Sequence, residues 1–148
     1  MKVKEVMTTV LITANKEAPY KEVAEKMIAR DVSGILIVDD QGLLVGLVSE
    51  KDLFRILYPY YQSFYERPEE YKNFEEREEK IKEAFTHPVE KFMAKNLITV
   101  SPETPIMEAG ATMLAKKIHR LPVVENGKLI GIVTRKDIYH AILNSHLK

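Results

Sequence analysis

Residues 3–57 recur as residues 89–142, and this internal duplication limits the possible fold more than any other property of the chain. Identical pairs run through both copies in register: Val3/Val89, Met7/Met93, Ile12/Ile98, Thr13/Thr99, Pro19/Pro105, Met27/Met113, Gly46/Gly131, Val48/Val133, Lys51/Lys136 and Asp52/Asp137. The spacing is constant as far as Val38/Val124, after which Asp40–Gln41 adds one residue to the first copy. Each copy reads as strand, helix, strand, strand, helix. Leu11–Ala14 and Leu97–Val100 predict short first strands. Pro19 and Pro105 suit a first helical position, with Thr104 as a candidate N-cap. Over Pro19–Arg30, helical spacing puts Val23, Ala24, Met27 and Ile28 on one expected core face. Ile35–Val38 and Leu121–Val124 are apolar runs of buried-strand length. Turns at Asp39–Gly42 and Glu125–Gly127, where glycine supplies a positive φ, lead back to third strands at Leu44–Val48 and Leu129–Val133. A second helix is expected from Ser49 and from Thr134.

A copy of this size buries too little surface to be comfortable alone, so the two are expected to pack together about a pseudo-twofold axis. Such packing would leave two equivalent clefts, a usual place for small ligands. The expected fold is mixed α/β (α+β), with two βαββα units packed sheet to sheet. The expected domains are residues 1–57, an insertion at 58–88, and residues 89–148.

The insertion has no counterpart in the repeat. It is rich in aromatics, among them Tyr58, Phe64, Tyr71, Phe74 and Phe85, and in glutamate. Tyr71, Phe74, Ile81 and Phe85 fall on one helical stripe, and Glu76–Lys80 and Glu78–Lys82 are favourable i,i+4 pairs. A helical segment follows. Its aromatic face either caps the protein's own core or forms a dimer contact or lid.

Composition removes several classes of function. Lysine and arginine number 22 against 22 aspartate and glutamate, a net charge of zero. This argues against nucleic acid or a polybasic membrane surface as the principal partner. With no cysteine, disulfides, thiolate metal sites and cysteine nucleophiles are excluded, and a cytoplasmic location is expected. The apolar stretch from Val6 to Ala14 is no secretory core, because its pattern returns at Phe92–Val100. No stretch reaches the length of a membrane span. His87, His140 and His146 are expected at the surface.

Chemistry concentrates at Gly46-Leu47-Val48-Ser49-Glu50-Lys51-Asp52 and its repeat, Gly131-Ile132-Val133-Thr134-Arg135-Lys136-Asp137. Ser-x-x-Asp and Thr-x-x-Asp at a strand-to-helix turn make N-caps. The same hydroxyl and carboxylate could hold the two hydroxyls of a ribose, with glycine admitting a close approach and the helix start favouring an anion.

These paired turns, Met7 and Met93, Leu-Ile-Thr at 11–13 and 97–99, and the proline-started helices together resemble a tandem pair of CBS domains, the module named after cystathionine β-synthase. The resemblance covers both copies but not the insertion. It implies a regulatory module that binds an adenosine derivative such as AMP, ADP, ATP or S-adenosylmethionine in clefts between the units, with no required cofactor and no bound metal. It implies ribose binding by Ser49, Asp52, Thr134 and Asp137, and places Thr13 and Thr99 on the adenine side. His119-Arg120 resembles the phosphate-contacting stretches of the gamma subunit of AMP-activated protein kinase. With Arg135 and Lys136 it would face phosphates in the cleft that holds Asp52. In the other cleft Ser33 and Gly34 depart from the pattern. A charge difference visible without the resemblance agrees: Lys116, Lys117, Arg120, Arg135 and Lys136 match Arg30, Asp31, Gly34, Glu50 and Lys51. The expectation is therefore two unequal clefts, the Asp52 cleft preferring phosphorylated nucleotides.

The competing reading is an oligomerisation or protein-interaction module that acts through the aromatic insertion without a ligand. An enzyme is not expected, for the chain shows no nucleophile–base pair, metal cluster or Walker-type phosphate loop. A homodimer and a separate effector protein are the expected partners.

Overall fold

The computed structural model describes residues 1–57, 79 and 81–147. Most of the aromatic insertion, including Tyr58, Phe64, Tyr71 and Phe74, lies outside the described residues. The chain forms two compact units. One, here the Asp52 unit, takes Thr13–Asp39 and Val45–Lys95. The other, the Asp137 unit, takes Met1–Ile12, Asp40–Leu44 and Asn96–Lys148.

In the Asp52 unit, β1 (Thr13–Asn15) pairs in parallel with β2 (Gly34–Val38), Ala14 opposite Ile37, and β3 (Leu44–Ser49) completes a three-stranded sheet in the order β1-β2-β3. Helix α1 (Tyr20–Arg30) joins β1 to β2, and α2 (Glu50–Leu57) follows β3. Pro19, expected as the first helical residue, instead stands outside α1 as its N-cap residue, and the helix begins one position later at Tyr20. Its φ of −60° suits either position, but its ψ of 143° is extended. Tyr20, Val23 and Met27 are the buried stripe of α1. Ile28, expected in the core, is 82% exposed. Helical spacing shows which residues share a face, but not how far round the helix the core reaches. At the end of α1, Asp31 turns left-handed at φ 50°, Asp31 N–H donates to Ile28, and Val32 N–H donates to Met27. These two bonds are the Schellman pattern that satisfies the last carbonyls.

The Asp137 unit repeats the plan. Helix α3 (Ile106–Lys116) ends on left-handed Lys117, β4 (Arg120–Glu125) and β5 (Lys128–Thr134) form an antiparallel pair, and α4 (Arg135–His146) follows. The expected first strand shrinks to one parallel bridge, Val100 opposite Val123. This is the counterpart of Ala14 opposite Ile37. The core contains Val3, Ile106, Ala109, Met113, Leu121, Val123, Val133 and Ile138.

The leading segment of each sequence copy completes the unit built mainly from the other copy. Val3 belongs to the core of the Asp137 unit, its N–H donates to Thr104 at 2.8 Å, and Thr8 bridges Ile132. In the Asp52 unit, Val89 is fully buried, its N–H donates to Ala18 at 2.8 Å, and Ala94 bridges Leu47. The conserved pattern of the two copies thereby acquires a packing reason. A Cβ on Gly131 would come within 2.6 Å of Met7 Sδ, and one on Gly46 would collide with Met93. Both glycines admit a methionine and its neighbouring backbone.

The described end of the insertion serves the Asp52 unit's own packing. The Phe85 ring stacks on Tyr20 at 5.8 Å, Phe85 O accepts from Lys21 N–H, and His87 O accepts from Tyr20 N–H. His87 is half-buried rather than at the surface, while His140 and His146 are exposed.

Candidate functional site

The paired strand-to-helix turns form as the sequence indicates, with different internal bonding. At the end of β3, Asp52 Oδ2 accepts from Ser49 N–H at 2.8 Å and from Ser49 Oγ at 3.2 Å. The Arg55 guanidinium stands 3.6 Å from Asp52 Oδ1. Asp52 is 7% exposed and is the one buried charged side chain among the described residues. Burial first, and the Asp52 carboxylate second, push the Tyr20 phenol up to about 12.

At the end of β5, Asp137 Oδ2 accepts from Thr134 N–H at 2.9 Å and Thr134 Oγ1 accepts from Asp137 N–H at 3.1 Å. This is a reciprocal capping box, and it satisfies two backbone donors at the start of α4. Asp137 is half-buried, and among the described residues Oδ1 has no partner. A hydroxyl whose proton is uncommitted and a carboxylate oxygen that still accepts can together engage a vicinal diol. At the first turn, the Ser49 hydroxyl already donates to Asp52 and Arg55 stands over the second oxygen.

The basic stretch lies next to the Thr134 turn within the Asp137 unit. Arg120 is the cross-strand partner of Thr134, and Arg135 N–H donates to His119 O. The matched position in the Asp52 unit is Gly34, where a Cβ would stand 3.2 Å from Val48 O and 3.8 Å from Ser49 Cβ. His119, Arg120 and Lys136 are exposed. The Arg135 guanidinium is occupied otherwise, with Nε donating to Ile118 O at 3.1 Å and Nη2 to Met113 O at 3.4 Å. It thus ties together a carbonyl in the last turn of α3 and one in the connection that follows it, a role its place in the sequence does not reveal. Thr13 lies half-buried at the start of β1, its carbonyl accepting from Lys26 Nζ at 2.8 Å. Thr99 is exposed beside the Val100 bridge. Among the described residues, no hydrogen bond joins either threonine to a turn. Thr13, Ser49 and Asp52 fall in one compact unit. Thr99, His119, Arg120, Thr134, Arg135, Lys136 and Asp137 fall in the other.

Two apolar grooves lie on the helix faces, neither lined by Asp52 or Asp137. One, of about 300 Å³, is lined by Tyr20, Ala24, Met27, Ile28 and Glu50 among others. The second, of about 410 Å³, is lined by Met107, Leu114, Arg135, Ile138 and Tyr139 among others. Helical spacing marked Ala24, Met27 and Ile28 of the first groove as core. Large apolar residues stand exposed at matched positions in the two copies, Ile28/Leu114 and Phe54/Tyr139. Among the described residues, no helix is long and apolar enough to cross a membrane.

Known proteins place the chain. The CBS domain matches twice, at residues 3–59 and 89–144. The chloroplastic CBS domain-containing protein CBSX2 of Arabidopsis thaliana is 31% identical over 80% of this chain and 53% of its own length. The A-adding tRNA nucleotidyltransferase of Aquifex aeolicus is 26% identical over 96% of this chain, which spans only 14% of that enzyme. An uncharacterised Methanocaldococcus jannaschii protein is 27% identical over 91% of this chain and 40% of its own length. Among solved structures, the CBS-pair protein CBSX2 from Arabidopsis thaliana superposes with a TM-score of 0.77 at 28% identity, covering 99% of this chain and 97% of that one. CBSX2 in complex with AMP superposes with a TM-score of 0.74 at 28% identity, covering 98% of each chain. With two matched domains, a shared fold and the same turn at the end of both third strands, the chain belongs to the CBS-domain family, as a tandem pair.

Proposed function

We propose that the chain is a regulatory module that binds an adenosine-containing small molecule and passes its occupancy to a separate protein. The observation that carries this reading is the turn at Thr134–Asp137: a hydroxyl and a carboxylate oxygen available to a ribose, with Arg120 directly across the sheet. The AMP complex of CBSX2, a 28% identical protein of the same fold, supports adenosine as the ligand class. Thr134 and Asp137, and their counterparts Ser49 and Asp52, are the ribose groups. Thr13 and Thr99 stand on the adenine side, and His119, Arg120 and Lys136 meet phosphate. Arg forks and Lys point charges suit phosphate oxygens. Arg135 acts through the α3 terminus that it holds. The module supplies differential affinity for two states rather than a bond-making step.

The test is a thermal-shift and calorimetric series with AMP, ADP, ATP, S-adenosylmethionine and NAD on wild type, Asp52→Ala and Asp137→Ala. Ligand at 100 times its Kd adds about 2.7 kcal/mol of stability. A saturable shift in wild type that an aspartate variant loses supports the reading. No shift with any of the five overturns it and leaves the aspartates as helix caps. The interaction module acting through residues 58–88 would then account for the protein.

A further inference from the structure

The groove of about 300 Å³ in the Asp52 unit has an apolar floor and three polar groups that the second copy lacks. The floor is Ala24, Met27, Ile28 and Val32, whose matches Gly110, Met113, Leu114 and Ile118 carry no polar side chain either. Beside it stand Tyr20, Asp31 and Glu50. Their matches are Ile106, Lys117 and Arg135, so a phenol and two carboxylates belong to the first copy alone. Among the described residues neither carboxylate has an ion-pair partner. Tyr20 is 1% exposed, where the second copy buries an isoleucine. Phe85 stacks on its ring at 5.8 Å and Phe92 meets it edge-on at 5.4 Å. The ring is thus packed, but among the described residues its hydroxyl makes no hydrogen bond. Burial first, and the Asp52 carboxylate second, push the phenol up to about 12, so at neutral pH the hydroxyl can both donate and accept. A buried hydroxyl without a partner costs stability that an isoleucine would not, and beside a cavity it calls for something that completes it.

We propose that this groove binds an organic ammonium ion that has an apolar body and a hydrogen-bonding oxygen at its far end. The ammonium is held by Asp31 and Glu50, the body covers Ala24, Met27 and Ile28, and the oxygen pairs with the Tyr20 hydroxyl. Tyr20 opens α1 and Asp31 caps it, about 16 Å further on at about 1.5 Å per residue, so a cation and an oxygen at opposite ends of one ligand serve both. At about 30 Å³ for each water, the groove has room for about ten waters, or a ligand with a similar number of non-hydrogen atoms. The second groove, lined by Arg135 and by no carboxylate, rejects such a cation. The assignment holds whether or not the Ser49–Asp52 and Thr134–Asp137 turns bind a nucleotide.

The experiment is isothermal titration calorimetry of the whole chain at neutral pH, without nucleotide, with three probes. Tyramine carries both the ammonium and the hydroxyl, phenethylamine lacks the hydroxyl, and tyrosol has an alcohol in place of the ammonium. Tyramine is expected to bind at one site per chain with a Kd of about a millimolar or below. Phenethylamine should bind about fivefold more weakly and tyrosol about tenfold more weakly. Tyr20→Phe keeps the ring between Phe85 and Phe92, so the variant folds. It should reduce tyramine to the affinity of phenethylamine and leave phenethylamine unchanged, whereas a purely structural Tyr20 would shift both amines alike. Asp31→Asn/Glu50→Gln, at two exposed positions, should weaken both amines about tenfold and leave tyrosol unchanged. Absence of saturable tyramine binding overturns the proposal. So does tyrosol binding as tightly as tyramine, or a preference for tyramine over phenethylamine that survives Tyr20→Phe. Binding that weakens as protein concentration rises also overturns it, and would give the groove to a second copy of the chain.

Discussion

Val3→Ala should damage the second repeat and leave the first intact, although Val3 begins the first. The side chain is fully buried and packs in the core with Ile106, Met113 and Leu121. Its removal deletes two methylene equivalents, about 1.6 kcal/mol at about 0.8 kcal/mol each, before the cavity is counted. Val3 N–H is bound to Thr104 O and Val6 N–H to Val3 O, so the backbone will not follow the lost atoms inward. The residual cavity brings the total to about 2–3 kcal/mol. For a chain of this length that is a fall in Tm of about 4–12 °C. The sharper assay is amide hydrogen exchange by mass spectrometry. Peptides from α3, β4 and β5 should exchange about 30- to 150-fold faster, while peptides from α1 and β2 keep their wild-type rates. Val89→Ala should give the mirror image, loosening α1 and β2. Equal loosening of both units, or loosening of each mutation's own sequence copy, would refute the exchanged packing.

Gly131→Ala should cost about 1–3 kcal/mol by overpacking against Met7, and Met7→Ala should recover part of that in a double-mutant cycle. Additive effects would remove Met7 as the reason for the glycine. The Lys2 and Lys4 ammonium groups bond Glu103 at 2.5 and 2.7 Å and hold its carboxyl at about 2. A carboxyl lowered in the folded state stabilises above its ordinary value of 4.5, and that contribution is lost as pH falls from 4.5 towards 2. Glu103→Gln should therefore flatten acid unfolding in that window, and added salt should reduce the difference. Tyr20 carries the opposite sign. Its raised value means that the stability it confers is complete below pH 10 and is lost as pH climbs towards 12, a loss that Tyr20→Phe should abolish in alkaline melts. Arg135→Met should destabilise the end of α3 and the connection that follows it, by releasing Met113 O and Ile118 O, by about 1–2 kcal/mol in chemical denaturation. An unchanged midpoint would leave the guanidinium without a structural role.

Apart from the first strand of the second copy, which shrinks to one bridge, the elements of each unit were legible because strands and helices write their periods locally. The turns were legible because glycine and Ser/Thr-x-x-Asp have local causes. The partner of each leading segment was not. Val3 and Val89 read as apolar and buried, and nothing in a hydrophobic pattern names the core that will receive them. Met7 and Gly131 belong to different copies, so neither accounts for the other until the chain is folded. Ile28 shows the complementary failure. It lies within an apolar helical face, yet that face is wider than the core it covers, and the surplus remains in solvent. The candidate site divided in the same way. The capping turns Ser49–Asp52 and Thr134–Asp137 could be found by motif. The commitment of Arg135 to the end of α3 depends on where the Met113 carbonyl, 22 residues away, comes to lie in the fold.

The traded leading segments mean that this chain cannot be cut into two self-sufficient halves. A fragment holding only the first repeat would carry Val3 and Met7, shaped for a core it does not contain, and would lack the Val89–Lys91 turn that closes its own. Such a fragment can finish folding only by borrowing the missing piece from a neighbour. The covalent link between repeats therefore turns what would be a swap between molecules into a private arrangement within one.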